Sequence, residues 1–137
     1  MLRVVLDPNV LVSALISPAG APARMIETVL DGEIDHVASL RWLSEADGLA
    51  ERPRFRRWFT REDAEALIER LWVIAEIGPD PSGTGALTRD PNDDYLVTLA
   101  RDSGCDLIIS GDADLLVFGG PPEVLTPRQL LDRHHGS

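Results

Sequence analysis

Two aspartates follow short, mainly apolar runs: Asp7 directly after Leu2 to Leu6, and Asp112 in the turn Ser110-Gly111-Asp112 after Cys105 to Ile109. In an open α/β sheet this is where ligands gather, beyond the carboxyl ends of the strands. Two further acids fall on the apolar side of helical patterns. Glu45 lies three residues after Trp42 and four before Leu49, and Asp93 lies three before Leu96 and seven before Ala100, so helical geometry turns both inward. Asp94 aligns with Thr98 and Arg101 on the wetter side and reads as an outer acid or a helix-dipole residue. An inward carboxylate must be paired or metal-bound, and the chain has no lysine to pair it, because all 13 basic residues are arginine. Clustered oxygen ligands suit hard divalent cations such as Mg²⁺ or Mn²⁺. Cations held this way activate water and stabilise charge on an attacked phosphate. The bland alternative is four unrelated acids, each a helix cap or the partner of an arginine.

The formal net charge is −10 over 137 residues, which argues against the broad basic surface that meets nucleic-acid phosphates unaided. Positive charge for an anionic substrate would have to come from elsewhere, and carboxylate-bound cations are one source. The absence of lysine excludes P-loop nucleotide binding and Schiff-base chemistry. Arg52, Arg54, Arg56, Arg57 and Arg61, interleaved with Phe55, Trp58 and Phe59, form a basic cluster. It reads as a guide for an RNA backbone, as a seat for an acidic tail, or as a solvated face over packed aromatics, and the last is the preferred sequence reading. Cys105 is the sole cysteine, so no intrachain disulfide forms and a zinc site would lack its usual thiolates. Met1 leads straight into a strand-like run, and no apolar run approaches the roughly 20 residues of a spanning helix. The expectation is a soluble, cytoplasmic protein without a signal peptide or membrane segment.

The elements that must position these acids follow from hydrophobic spacing. Leu2 to Leu6 is β-branched-rich and apolar but for Arg3, as in a strand buried on both faces of a parallel sheet. Short helices are expected over Val10 to Ile16 and Ala23 to Leu30, a strand over Ile34 to Ala38, and a helix capped by Ser39 that carries Trp42, Ala46, Leu49 and Ala50. A longer helix is expected from Arg61 to about Glu76 behind the capping box of Thr60 and Asp63. Gly78 to Arg89 reads as a loop; Asp90 and Pro91 open a helix to about Asp102. Strands at Cys105 to Ile109 and at Val124 and Leu125, then a helix begun by Thr126, Pro127 and Gln129, complete the pattern. Alternation of strand and helix implies an α/β domain with a mainly parallel central sheet, expected to be one unit over residues 1–137. Trp42 and Trp72 read as core and His36 as structural, while His134 and His135 near the terminus are assigned nothing.

Taken in order, these segments resemble the PIN-domain nucleases. Val4-Val5-Leu6-Asp7-Pro8-Asn9 is similar to the family's opening strand and turn, and Ser39 to Glu45, ahead of Arg52-Pro53-Arg54-Phe55, to its glutamate-bearing helix. Asp90-Pro91-Asn92-Asp93-Asp94 resembles the third acidic segment, and Leu107 to Leu116 the fourth. The resemblance covers residues 2 to 118 and implies a three-layer α/β/α sandwich, a Mg²⁺ or Mn²⁺ cofactor and hydrolysis of RNA. Within the family it looks closest to toxins of bacterial toxin-antitoxin pairs, implying an antitoxin partner and dimerisation. Carried over by position, Asp7, Glu45, Asp93 and Asp112 would be catalytic metal-binding acids, with Asp114 an accessory ligand and Asn9 and Ser110 polar supports. One departure stands out: the family usually has threonine or serine where this chain has Pro8, which removes a hydroxyl and a backbone N–H. Two other readings stay open at this point. One is a phosphotransfer domain of the haloacid-dehalogenase or receiver type, which usually employs the lysine missing here; the other is a PIN-like binding module with an impaired site.

Overall fold

The computed structural model describes residues 1–80 and 94–135, the side chain of residue 135 excepted. Its frame is a five-stranded, wholly parallel sheet in the order β3-β2-β1-β4-β5. The central strand β1 (Arg3–Leu6) pairs with β2 (Asp35–Ala38) and with β4 (Leu107–Ile109). The strands β3 (Glu76–Ile77) and β5 (Glu123–Leu125) form the edges. Val4, Val5, Leu6, Ile108 and Ile109 are fully buried, as continuous apolar runs in a doubly covered sheet should be. The crossovers between strands are helical: α1 (Asn9–Ile16) and α2 (Ala21–Leu30) join β1 to β2, α3 (Leu40–Ala50) and α4 (Arg61–Ile74) join β2 to β3, and α6 (Ala113–Leu116) joins β4 to β5. The helix α5 (Asp94–Asp102) packs on β1, β2 and β4, and α7 (Pro127–His135) packs on α2 and β5. The result is the expected three-layer α/β/α sandwich.

Local chemistry explains most element boundaries. Ser39 caps α3 by accepting the N–H of Trp42 at 3.2 Å. Thr60 and Asp63 form the reciprocal box in front of α4, and Thr126 and Gln129 do the same for α7 at 2.9 and 3.2 Å. The far end of α4 departs from expectation. The helix stops at Ile74, Ala75 turns extended, and Glu76 and Ile77 pair with Val37 and Ala38 as an edge strand. No glycine or polar cap marks that exit; the β-branched Val73, Ile74 and Ile77 favour strand over helix only weakly, and pairing with β2 decides the matter. Gly78 extends the ladder through its N–H to the Ala38 carbonyl at 2.8 Å. There a β-carbon would meet Leu99 Cδ1 and Ser103 Oγ at 2.7 Å, so only glycine lets the chain pass this close to α5. The expected opening of α5 at Asp90 and Pro91, most of the loop before it, and Asp93 lie outside the described residues.

Among the described residues no helix is long and apolar enough to cross a membrane. His36 is buried, as a structural histidine, with Nε2 on the Leu71 carbonyl at 2.7 Å, so it pins β2 to α4. Burial lowers its pKa, keeping the ring neutral.

Candidate active site

The parallel sheet brings the ends of β1 and β4 side by side, with the N–H of Asp7 on the Ile109 carbonyl at 2.9 Å. Asp7 and Ser110 therefore emerge as neighbours despite more than a hundred intervening residues. Asp7 is only 2% exposed. Its Oδ2 accepts the Ser110 hydroxyl at 2.7 Å, while Oδ1 accepts the Asn9 backbone N–H at 3.0 Å and the Asn9 amide at 3.2 Å. Ser110 is fully buried, and its Oγ in turn accepts the N–H of Asp112 at 3.0 Å. One hydroxyl thus couples the two aspartate segments. The carboxylate of Asp112 caps α6, accepting the Asp114 N–H at 2.8 Å, so its capping role and its place beside Asp7 coexist.

Pro8 fits this turn. It sits at the start of α1 with φ −54° and ψ −26°, where a backbone N–H would have no helical acceptor. The cap is supplied by the Asp7 carboxylate on Asn9, and the Pro8 carbonyl accepts the N–H of Leu11 at 3.1 Å. The family's usual hydroxyl is absent, but the helix start is intact.

The helix α3 brings Glu45 toward the same edge. Trp42, one turn before it and fully buried, donates its indole N–H to the Leu6 carbonyl at 2.7 Å, which ties α3 to the residue preceding Asp7. Glu45 is half-buried; its Oε2 accepts the Tyr95 hydroxyl at 2.8 Å, and Arg41 Nε approaches Oε1 at 3.9 Å. The Arg41 guanidinium lies over the Tyr95 ring, 4.4 Å from its centroid. Tyr95 is buried, and its pKa is driven far above that of an ordinary phenol, first by burial and then by the charge of Glu45, with Asp7 adding to the same effect and Arg41 opposing it. The phenol consequently stays a donor, and it senses carboxylates from both β1 and α3. Sequence reasoning missed Tyr95 and Arg41, and saw in Trp42 only a core residue. The available signal was a buried aromatic with a polar tip immediately after the acidic pair Asp93-Asp94.

Burial raises the pKa of Asp7, the hydrogen bonds from Asn9 and Ser110 work against that shift, and the neighbouring charge of Asp112 adds to it. Among the described residues no ion pair reaches Asp7 or Asp112. A buried carboxylate beside a second one, with hydroxyl and amide supports instead of a guanidinium, is the hard-oxygen donor chemistry that suits a divalent cation. Among the described residues no three His, Cys, Asp or Glu side chains converge closely enough to enclose an ion by themselves. Beside Asp112 and Asn9 opens a groove of about 390 Å³, lined also by Ser13, Pro22, Gly111 and Pro127.

The remaining candidates sit as follows. Asp94 opens the described part of α5, and Asp114 is in the first turn of α6; both are half-buried. Arg52, Arg54, Arg56 and Arg57 are exposed on the segment after α3. Arg56 is bound to the carbonyls of Ala50 and Phe59, while Arg54 and Arg57 lie 4.8 Å over the Phe55 and Trp58 rings. Arg61 is paired with Glu51 and Glu65. Phe55 and Phe59 are buried and stacked beneath, with centroids 5.6 Å apart, whereas Trp58 is half exposed.

The model of the PIN domain matches residues 3–114. The chain belongs to the PIN-domain family. Members of this family are typically nucleases and generally use divalent metals. A relative of this PIN domain in sequence is the protein described as uncharacterised MJ1680 of Methanocaldococcus jannaschii, 28% identical over 115 residues, which cover 84% of this chain and 74% of that one. The crystal structure of PAE2754 from Pyrobaculum aerophilum superposes with a TM-score of 0.67 at 13% identity, covering 99% of this PIN domain and 91% of that chain. VapBC2 from Rickettsia felis, solved bound to a DNA fragment from its promoter, superposes with a TM-score of 0.59 at 11% identity, covering 91% and 98%. Both likenesses are of fold.

Proposed function

We propose that this PIN domain is a Mg²⁺- or Mn²⁺-dependent endoribonuclease, and the toxin of a toxin-antitoxin pair. The observation that carries the reading is the buried Asp7 carboxylate, paired with no arginine among the described residues and joined through Ser110 to Asp112 at the carboxyl edge of the sheet. Asp7, Asp112 and Glu45 would hold the cation together with Asp93 of the third acidic segment, with Asp114 accessory. The ion would supply Lewis-acid polarisation and a water of lowered pKa. Asn9 and Ser110 fix both oxygens of Asp7 before any ligand arrives, so little reorganisation is needed on binding. Trp42 and Tyr95 set the position of Glu45 from two sides, one through the backbone before Asp7 and one through the carboxylate itself. The groove beside Asp112 and Asn9 offers a path for the RNA strand next to the carboxylates, with Ser13 and Asn9 as polar contacts and two proline rings as apolar ones. No protein nucleophile is required.

The toxin assignment draws on the likeness to VapBC2 and implies an antitoxin protein as partner, with dimerisation implied by the family. Family membership removes the reason to favour a phosphotransfer domain. The capped start of α1 speaks for an intact turn at Pro8, while the hydroxyl usual in the family at that position is missing. The test is cleavage of a labelled RNA in the presence of Mg²⁺ or Mn²⁺. The expected result is endonucleolytic products that vanish with EDTA and in Asp7→Asn. Cleavage that persists in Asp7→Asn, or no cleavage by the native chain with either metal, would contradict the reading.

A further inference from the structure

Arg41 occupies a position that helix physics disfavours. It is the second residue of α3, where the positive end of the helix dipole repels a cation. Its i,i+4 partner Glu45 lies on the C-terminal side, the weaker order for such a pair, and Nε stands 3.9 Å from Oε1 without a hydrogen bond. Among the described residues the Asp80 carboxylate takes the backbone N–H of Arg41 at 3.1 Å and not its side chain. What holds the guanidinium is the face of Tyr95, 4.4 Å from the ring centroid. The same tyrosine presents its hydroxyl to Glu45. Arg41 is thus parked flat beside the acidic site, its side chain 46% exposed, with no side-chain hydrogen bond to any described residue. A planar fork of unused donors at the rim of a carboxylate cluster matches a phosphodiester better than it matches Glu45.

We propose that Arg41, seated on the Tyr95 ring, is the contact for a phosphate of single-stranded RNA at this site. The inference rests on the nuclease reading for its substrate class. Local placement against the dipole is the kind of exception that marks function. It also gives a chain of net charge −10 one cation at the site itself. Tyr95 is here a positioning residue, acting on RNA only through Arg41.

The test is binding of a fluorescein-labelled single-stranded RNA oligonucleotide in EDTA, read by anisotropy over a series of salt concentrations. Arg41→Gln is expected to weaken binding about tenfold. It should also flatten the slope of log affinity against log salt by about 0.7, the value for one phosphate contact on a single strand. Arg70→Gln, an exposed arginine on α4 lining the groove between α1, α2 and α4, removes the same charge and should change neither quantity. Tyr95→Phe keeps the ring and should retain binding, whereas Tyr95→Leu should weaken it as Arg41→Gln does. Native affinity and slope in Arg41→Gln, an equal loss in Arg70→Gln, or failure of the native chain to bind the oligonucleotide without a divalent ion would overturn the proposal. Because the assay needs neither a divalent ion nor cleavage, a chain that binds RNA through Arg41 but cuts nothing would sink the nuclease reading and leave this one standing.

Discussion

The surroundings of Asp7 work against its charge. Burial raises its folded-state pKa above the unfolded value, so the folded protein binds the proton more tightly, and ionisation at neutral pH destabilises the metal-free fold. That stability is present at low pH and is lost as pH rises through the elevated pKa. Asp7→Asn, which keeps the shape without the charge, is therefore expected to raise the melting temperature at neutral pH in EDTA by about 2–5 °C, while the proposed nuclease role predicts that it abolishes cleavage. The gap between variant and native protein should shrink as pH falls and Asp7 takes up its proton. A melting temperature unchanged or lowered in the variant, followed by thermal denaturation from pH 7 downward, would contradict this account. Ser110 works in the opposite sense. Ser110→Ala leaves a buried carboxylate oxygen and the Asp112 N–H without their shared partner, which should cost about 1–3 kcal/mol by denaturant unfolding. Cleavage should fall with it, because the two aspartates lose their link.

The elements succeed or fail as positioners by a few contacts that run between them. The helix α3 is fastened to β1 by Trp42 and to α5 by Tyr95, and at residue 78, just after β3, a β-carbon would meet Leu99 Cδ1 and Ser103 Oγ unless they shifted. Gly78→Ala should destabilise the fold by about 1–3 kcal/mol, measured by chemical denaturation, since the added methyl overpacks against Leu99 and Ser103. A neutral result would show that α5 can shift away. The capping boxes at Thr60 and Thr126, the serine cap of α3 and the buried strands were all legible, because each is written in residues adjacent in sequence. The strand at Glu76 and Ile77 was not. It exists through pairing with Val37 and Ala38, some forty residues earlier, and pairing of that kind leaves no local mark. Tyr95 escaped for the same reason: an apolar-face aromatic looks like core until the partner of its hydroxyl, fifty residues away, is known.

For the molecule as a whole, the acidity legible in the composition becomes specific only through topology. A parallel sheet carries Asp7 and Asp112 to one edge, and the order of acids along the chain announced that edge. Which acids would share a hydroxyl, and that an arginine would sit beside Glu45 on a tyrosine face, required coordinates. If the proposed site takes up a divalent cation, a chain this negative should gain stability from it. Saturating Mn²⁺ is expected to raise the melting temperature of the native protein by several degrees, on the order of the 2–3 kcal/mol that ligand at about a hundred times its Kd contributes, and to leave Asp7→Asn unmoved. The most direct measurement is anomalous diffraction from a crystal soaked in Mn²⁺. The account predicts a peak within coordination distance of the Asp7 and Asp112 carboxylates. A soaked crystal with no peak there, or with an arginine side chain closing on Asp7 instead, would contradict it.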